Sequence, residues 1–285
     1  MKYKLEVIGS PISHTLSPLI HKTFLEAMGI EYEYRAVDIK KGGLLEYIDY
    51  VKENNVLGFN ITMPHKQDII EYLDEIDAEA GIYGSVNTVK NENGKLKGFN
   101  TDADGYKMAL AEAGVSLKNL NIAVIGAGGA ASAVVIKAAL EGAESITILN
   151  RDIQKARLLA EKTLAKTGFF VKTDVFNIEN ANKACKDADL LINATPLGMS
   201  GITENFCDLS FVDVLKSSAA VSDLIYNPPE TKLIEYAKVR GLNTLNGLGM
   251  LIYQGLIADK IYFEKDFDFL SVKKEIEENY YAKNY

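Results

Sequence analysis

Residues 121–150 read NIAVIGAGGAASAVVIKAALEGAESITILN, and the fold turns on them. An apolar run, Ile122 to Ile125, passes without a break into Gly126-Ala127-Gly128-Gly129-Ala130-Ala131, a G-x-G-x-x-A pattern. In a strand–turn–helix unit the first glycine permits a tight turn and the second lets backbone approach a pyrophosphate. The small third residue lets the helix pack close against its strand. The helix so opened points N–H groups and the positive end of its dipole at phosphates. A second apolar stretch, Ser145 to Leu149, closes the unit at Asn150. Glycines alone carry little weight. Flanked by strand, helix and strand they predict a dinucleotide site, with Gly126, Ala127, Gly128, Gly129 and Ala130 against the cofactor.

The residues after that second strand select the cofactor. An acid there would grip the two ribose hydroxyls of NAD, whereas this chain has Asn150-Arg151 with Lys155 one turn on. A planar guanidinium suits a 2′-phosphate, so NADP is expected. Asp152 opposes that choice by repelling a phosphate, which keeps NAD open as the alternative. Its other reading is as the cap of a helix from Ile153 to Lys166.

Working outward, strands are expected at Phe169 to Val175, Leu190 to Asn193 and Ala220 to Leu224, separated by helical patterns. That alternation predicts a Rossmann-like, doubly wound parallel sheet. The first hundred residues alternate as well, with strands at Lys4 to Gly9, Tyr32 to Asp38 and Leu57 to Thr62. Helices are expected from Pro18 to Met28 and Gly43 to Glu53, and a third is opened by Pro64 and runs to Glu75, proline being favoured at a first helical position. Ser85 to Lys90 and Leu96 to Asn100 form a hairpin joined by Asn91-Glu92-Asn93-Gly94. A helix over Asp104 to Ala113 ends at Gly114. Beyond Asn246 the chain is expected to be helical, apart from a break around Phe263 to Phe269. The whole is an α/β protein. Residues 1–101 with 246–285 form an N-terminal α/β substrate domain, and 102–245 the NADP domain, with a preorganised active site in a cleft between them.

Composition narrows the function classes. The 285 residues are 47% hydrophobic and 25% charged, which is globular, and the net charge of −8 argues against nucleic acid. Asn119 to Ile136 carries no charge, yet it is rich in Gly, Ala and Ser and changes period midway, so it reads as strand plus buried helix rather than a membrane span. The N-terminus has a charge within too short an apolar run for a signal peptide. Cys185 and Cys207 lack metal spacing and read as buried or free thiols in a reducing cytoplasm. His14, His21 and His65 are too scattered for a metal. Assembly is left between monomer and homodimer.

Polar clusters in the first domain fall at strand ends, where parallel sheets gather ligands. They are Ser13-His14-Thr15-Leu16-Ser17, Asn60-Ile61-Thr62-Met63-Pro64-His65-Lys66, Asn87-Thr88 and Asn100-Thr101-Asp102. Their hydroxyl and amide groups suit a polyol. Thr15 and Ser17, at a helix start, suit a carboxylate; Ser17 before Pro18 reads equally as an ordinary N-cap. Lys66 and Asp102 are the charged members. Hydride delivery to a ketone leaves an alkoxide, and a lysine held by a carboxylate can supply its proton. The competing reading of Lys66 is a solvated charge in the first turn of a helix.

Taken together these segments resemble the shikimate dehydrogenase family over essentially the whole chain. In family order they are PISHTLSP (11–18), GFNITMPHK (58–66), SVNT (85–88), NTDADG (100–105), GAGGAA (126–131), NRDIQKA (150–156), INATPLGM (192–199), DLIYNPPET (223–231) and NGLGMLIYQG (246–255). The resemblance implies NADPH-dependent reduction of 3-dehydroshikimate to shikimate, in aromatic amino acid biosynthesis, with Lys66 and Asp102 at the reacting oxygen. It implies that Thr15 and Ser17 hold the substrate carboxylate and that Asn60, Thr62, Asn87 and Gln254 bind the ring hydroxyls or neighbouring groups, with Tyr226 closing the site. Asn150 and Arg151 match the family's 2′-phosphate reader, and Thr195, Met199 and Gly249 lie along the nicotinamide half. Two departures stand out. Thr15 replaces a serine, which raises quinate as a second substrate, and Asp152 replaces a threonine beside the 2′-phosphate. Ile261-Tyr262-Phe263 replaces an aromatic expected near the end of the Gln254 helix and reads as packing. A quinate/shikimate dehydrogenase using NAD is therefore the near alternative. A metabolite sensor that keeps the fold without turnover is the distant one, opposed by the presence of both Lys66 and Asp102.

Overall fold

The computed structural model describes residues 2–13 and 15–284, so His14 lies outside the described residues. The chain divides into two compact units, Met1–Gly105 with Ile252–Tyr285, and Tyr106–Leu251.

The first unit contains β1 (Tyr3–Gly9), α1 (Ser17–Ala27), β2 (Tyr32–Asp38), α2 (Leu44–Glu53), β3 (Gly58–Ile61), β4 (Glu75–Ile76), α3 (Ala78–Tyr83), β5 (Thr88–Glu92) and β6 (Lys95–Phe99). Its sheet runs β2-β1-β3-β5-β6-β4. β1 lies parallel to both β2 and β3, and the β5–β6 hairpin is antiparallel against β3, with Phe59 facing Val89. Side chains alternate across a strand, and Ile8, Phe59, Ile61, Val89 and Leu96 meet Tyr47, Ile48 and Val51 of α2 in one core. The hairpin is tighter than the sequence suggests. Glu92 pairs with Lys95, leaving Asn93-Gly94 as a two-residue turn with φ of 56° and 90°, the positive-φ pair of a type I′ turn.

The helix expected from Pro64 to Glu75 is absent. The Lys66 carbonyl accepts from Val86 N at 2.7 Å, and the chain then follows the short-period bonds Ile70 N to Gln67 O and Leu73 N to Ile70 O. Only a 3₁₀ turn, Asp68–Tyr72, forms before the chain extends into β4. Ile69 is the buried residue there, and a single buried side chain gives one turn nothing to propagate along. Lys66 thus sits on a turn at the end of β3.

Two helices carry the chain across the unit boundaries, α4 (Asp102–Glu112) and α9 (Leu248–Phe263); α10 (Phe269–Asn284) ends the first unit. The second unit holds β7 (Asn121–Ile125), α5 (Gly129–Leu140), β8 (Ser145–Asn150), α6 (Ile153–Thr167), β9 (Lys172–Val175), α7 (Ile178–Cys185), β10 (Leu190–Asn193), β11 (Ala220–Asp223), α8 (Lys232–Val239) and β12 (Asn243–Leu245). Its sheet is wholly parallel in the order β12-β11-β10-β7-β8-β9, the doubly wound arrangement. β10 and β11 are buried at every residue, as parallel strands covered on both faces must be, which explains the apolar Leu190-Leu191-Ile192 and Ala220-Val221 that open them. The uncharged stretch resolves into β7 and α5, whose Ala131, Val134, Val135 and Ala138 enter the core against Ile122, Val124 and Ile148. No helix among the described residues is long and apolar enough to cross a membrane. β9 begins at Lys172 rather than Phe169, because α6 continues to Thr167 and Gly168 (φ 75°) turns the chain.

The strand order reverses between β7 and β10. The loops leaving the carboxyl ends of those two strands, at Gly126 and Ala194, therefore diverge, which is where a doubly wound sheet holds its ligand.

Candidate active site

In the first unit, Lys66 Nζ lies 2.6 Å from Asp102 Oδ2, with 30% and 18% of the two side chains exposed. Lysine from the turn after β3 and aspartate from the first turn of α4 meet because β6 delivers the chain to α4 directly. Asp102 is further fixed by its backbone N–H donating to Asn100 Oδ1 at 3.2 Å, and Asn100 is anchored on Ser85. Asn87 Nδ2 reaches Asp102 Oδ1 at 3.0 Å, Gln254 Oε1 at 3.1 Å and Thr101 Oγ1 at 2.9 Å. Asn87 Oδ1 accepts from Thr101 N at 2.8 Å. Lys66, Asn87, Asp102 and Gln254, 188 residues apart at the extremes (254 − 66), thus form one hydrogen-bonded group.

A second group joins it through Thr88. Asn60 Nδ2 donates to Thr88 Oγ1 at 3.2 Å, and the Tyr34 hydroxyl donates to Asn60 Oδ1 at 3.3 Å. Thr15 and Ser17 share a hydroxyl–hydroxyl bond of 3.2 Å, and Ser17 N donates to Thr15 Oγ1. Leu16, not Ser17, occupies the N-cap position of α1 and makes no side-chain cap bond. Of the two readings left open for Ser17, the ordinary cap is the one the structure does not realise. Thr62 is half-buried beside Gly9, in the same strand-end region.

In the second unit a pocket of about 430 Å³ is lined by Gly126, Ala127, Gly128, Asn150, Arg151, Asp152, Lys155, Thr195 and Pro196, among others. Gly126 has φ of 113°, and a Cβ there would meet the Ala194 carbonyl at 2.8 Å, so only glycine fits. Gly128 and Gly129 have open space where a Cβ would stand, which leaves room for a ligand over the start of α5. The first-turn N–H groups of α5 have no carbonyl to reach within the helix. Bare backbone donors, two cations and a glycine cradle fit a phosphorylated dinucleotide. Asp152 caps α6, accepting from Gln154 N at 3.0 Å. Asn150 donates to the Asp152 carbonyl at 2.8 Å, which ties the reader loop together.

Gly129, Ala130, Met199, Gly249 and Tyr226 are not among the residues lining that pocket. A Cβ on Gly249 would come within 3.1 Å of Ala109 Cβ, so this glycine lets α9 pack on α4. Met199 is exposed on the turn after Pro196, and Tyr226 is partly buried just after β11, its phenol pushed up by burial. The second unit therefore gathers Gly126, Ala127, Gly128, Asn150, Arg151, Lys155 and Thr195 around one pocket.

Asp223 was not singled out from the sequence, although an acid closing the apolar run of β11 is a signal in itself, buried acids being rare. It is fully buried and accepts from Asn193 Nδ2 (3.0 Å), Thr231 Oγ1 (2.7 Å) and Ile225 N (3.1 Å). Asn193 Oδ1 in turn accepts from Thr195 N and Oγ1, so the pocket loop hangs on Asp223. Burial outweighs those three donors and raises the carboxyl from 3.8 to about 6. A raised acid contributes stability that is fully present below 3.8 and lost as pH rises through 6. The unfolding free energy of wild type relative to Asp223→Asn should fall by about 2 kcal/mol between pH 4 and pH 7, measured by urea titration. A difference that stays flat over that window overturns the assignment.

Comparison with known proteins agrees with the resemblance drawn from the motifs. Residues 7–89 match the shikimate dehydrogenase substrate binding domain, and residues 107–205 match the shikimate / quinate 5-dehydrogenase family. The shikimate dehydrogenase (NADP(+)) of Alkaliphilus metalliredigens is 44% identical over 272 residues, covering 95% of this chain and 94% of that protein. A crystal structure of a shikimate dehydrogenase in complex with NADP+ superposes with a TM-score of 0.88 at 38% identity, covering 98% of this chain and 96% of that one. The Listeria monocytogenes shikimate 5-dehydrogenase, in complex with shikimate and NAD, gives 0.87 at 35% identity and 96% of each chain.

Proposed function

The chain belongs to the shikimate dehydrogenase family, and from that premise we propose that it interconverts 3-dehydroshikimate and shikimate with NADP, using Lys66 to handle the proton. The observation that carries this reading is the 2.6 Å Lys66–Asp102 pair with Asn87 and Gln254 bonded around it. When bound, the nicotinamide supplies the hydride to the C3 carbonyl carbon, or takes it back from shikimate. As the carbonyl is reduced, its oxygen takes one proton from the Lys66 ammonium, and the neutral amine recovers a proton from water. In the oxidation direction the neutral amine accepts the hydroxyl proton. Asp102 holds the ammonium in place and, through its second oxygen and Asn87, grips a neighbouring hydroxyl.

Thr15 and Ser17 bind the carboxylate with their hydroxyls. Asn60, Thr62, Asn87 and Gln254 bind the ring hydroxyls, and Tyr226 adds a phenol. Gly126, Ala127, Gly128, Gly129 and Ala130 would hold the pyrophosphate, Asn150, Arg151 and Lys155 the 2′-phosphate, and Thr195, Met199 and Gly249 the nicotinamide half. NADP rather than NAD is favoured by Arg151 and Lys155 and by the cofactor named for the curated relatives. Two unpaired cysteines are in keeping with the cytoplasm; the net charge of −8 disfavours a nucleic-acid partner, and the protein works as a monomer or homodimer.

A steady-state assay crossing shikimate and quinate with NADP+ and NAD+ tests the whole reading. Each charge-assisted contact is worth roughly ten- to a hundred-fold, so NADP+ should exceed NAD+ in kcat/KM by about 100-fold with shikimate as substrate. An NAD+ preference overturns the cofactor assignment, a quinate preference the substrate assignment, and no turnover with shikimate the proposal itself.

A further inference from the structure

Beneath the residues assigned to substrate lies a titratable pair that the chemistry above does not use. His21 on α1 and Asp259 on α9 are fully buried, and His21 Nδ1 stands 2.7 Å from Asp259 Oδ1. Such pairs are costly to desolvate, and apolar residues of the same volume often stabilise a fold as well or better. Stability therefore gives no reason for the pair; geometry does.

The pair fixes the plane of an imidazole, and that plane carries Tyr34. The two rings stack with centroids 4.7 Å apart and planes 15° from parallel. Tyr34 comes from β2 and is partly exposed. Its hydroxyl donates to Asn60 Oδ1 at 3.3 Å. It therefore joins the Asn60–Thr88 group, while its ring, stacked on His21, ties it to the helix that begins at Ser17. Burial pushes the phenol well above its usual value, so it remains a neutral donor throughout the working range. The sequence spacing fits this design. His21 follows Ser17 by four residues, one turn along the same face of α1. A Cβ on Gly255 would strike Ile20 Cγ2 at 2.7 Å, so a glycine in α9 lets that helix come close enough for Asp259 to reach His21.

We propose that Tyr34 is a further substrate-positioning residue, its phenol setting Asn60 and its ring tying that amide to the Ser17 helix, with the buried His21–Asp259 pair holding the ring in place. The inference rests on the assignment of Thr15, Ser17 and Asn60 to the substrate.

The test begins with wild-type turnover of shikimate; its absence overturns that assignment and the inference with it. Where wild type is active, Tyr34→Phe keeps the stack on His21 and removes one hydrogen bond. The KM for shikimate should rise roughly five- to ten-fold, while kcat stays within twofold and the KM for NADP+ does not move. Asp259→Leu should raise the same KM and leave the others. Asp259→Asn, whose amide oxygen still accepts from Nδ1–H, should recover most of that loss; a merely structural role would move kcat, both KM values and the melting temperature together. Should Asp259→Leu fail to fold, His21→Gln, which keeps a donor and loses the ring, takes its place with the same expectation. A shikimate KM within twofold of wild type in Tyr34→Phe, or in the variant that breaks the pair, overturns the proposal.

Discussion

Lys66→Ala should lower kcat for shikimate oxidation by about a thousand-fold and change the KM for shikimate only a few-fold, the range expected when one general acid–base group is removed. The split follows from what Lys66 does. On the proposed reading binding is spread over Thr15, Ser17, Asn60, Asn87 and Gln254, so one side chain fewer should cost little affinity. Proton transfer to the carbonyl oxygen has no second candidate in the Asn87 group, whose other members are amides, a hydroxyl and the carboxylate that holds Lys66. Lys66→Arg separates charge from proton transfer: it keeps a cation beside Asp102 but cannot give up a proton near neutral pH. It should be nearly as inactive as alanine. If arginine restores kcat, Lys66 acts only as a charge; if alanine retains near-normal kcat, the assignment fails.

Much of this site was legible in the sequence, for physical reasons that differ from residue to residue. The dinucleotide turn was readable because glycine is the only residue that tolerates φ of 113° against a carbonyl 2.8 Å away, so the pattern is forced. Asp152 was readable as a cap because its position before Ile153 leaves its carboxylate facing Gln154 N. Lys66 was placed near the right residues but on the wrong element, since a proline and one apolar position suit a 3₁₀ turn as well as an α-helix. β12 was missed because three residues at a sheet edge are too short to show alternation. Least legible were the residues whose role lies in a partner far along the chain. Tyr34 reads as an ordinary strand residue, and His21 and Asp259 are separated by 238 positions. Asp223 resembles a strand-end acid until Asn193 and Thr231 are seen bonded to it. No periodicity encodes such contacts; only the packed fold brings them together.

Arg151→Ala should cut kcat/KM for NADP+ by about a hundred-fold and leave that for NAD+ within twofold, the cost of one bidentate guanidinium–phosphate contact in a half-open pocket. The asymmetry is the point of the measurement. Arg151 is exposed on the rim of the Gly126 pocket, so its loss should not disturb the fold, and NAD+ has nothing for it to hold. Lys155, lining the same pocket, would retain part of the preference as a point charge. The loss should shrink as ionic strength rises, because an exposed pair is screened over about 8 Å at physiological salt. Asp152 supplies the internal control. Its carboxylate faces the start of α6 but lines the same pocket as Arg151 and Lys155, so Asp152→Ser, which keeps a capping oxygen, should tighten NADP+ a few-fold without weakening the helix. Opposite shifts from neighbouring residues, both confined to NADP+, are the signature of a 2′-phosphate read at this loop. Equal losses for NADP+ and NAD+ in Arg151→Ala would instead place Arg151 on a part common to both cofactors and move the reader elsewhere.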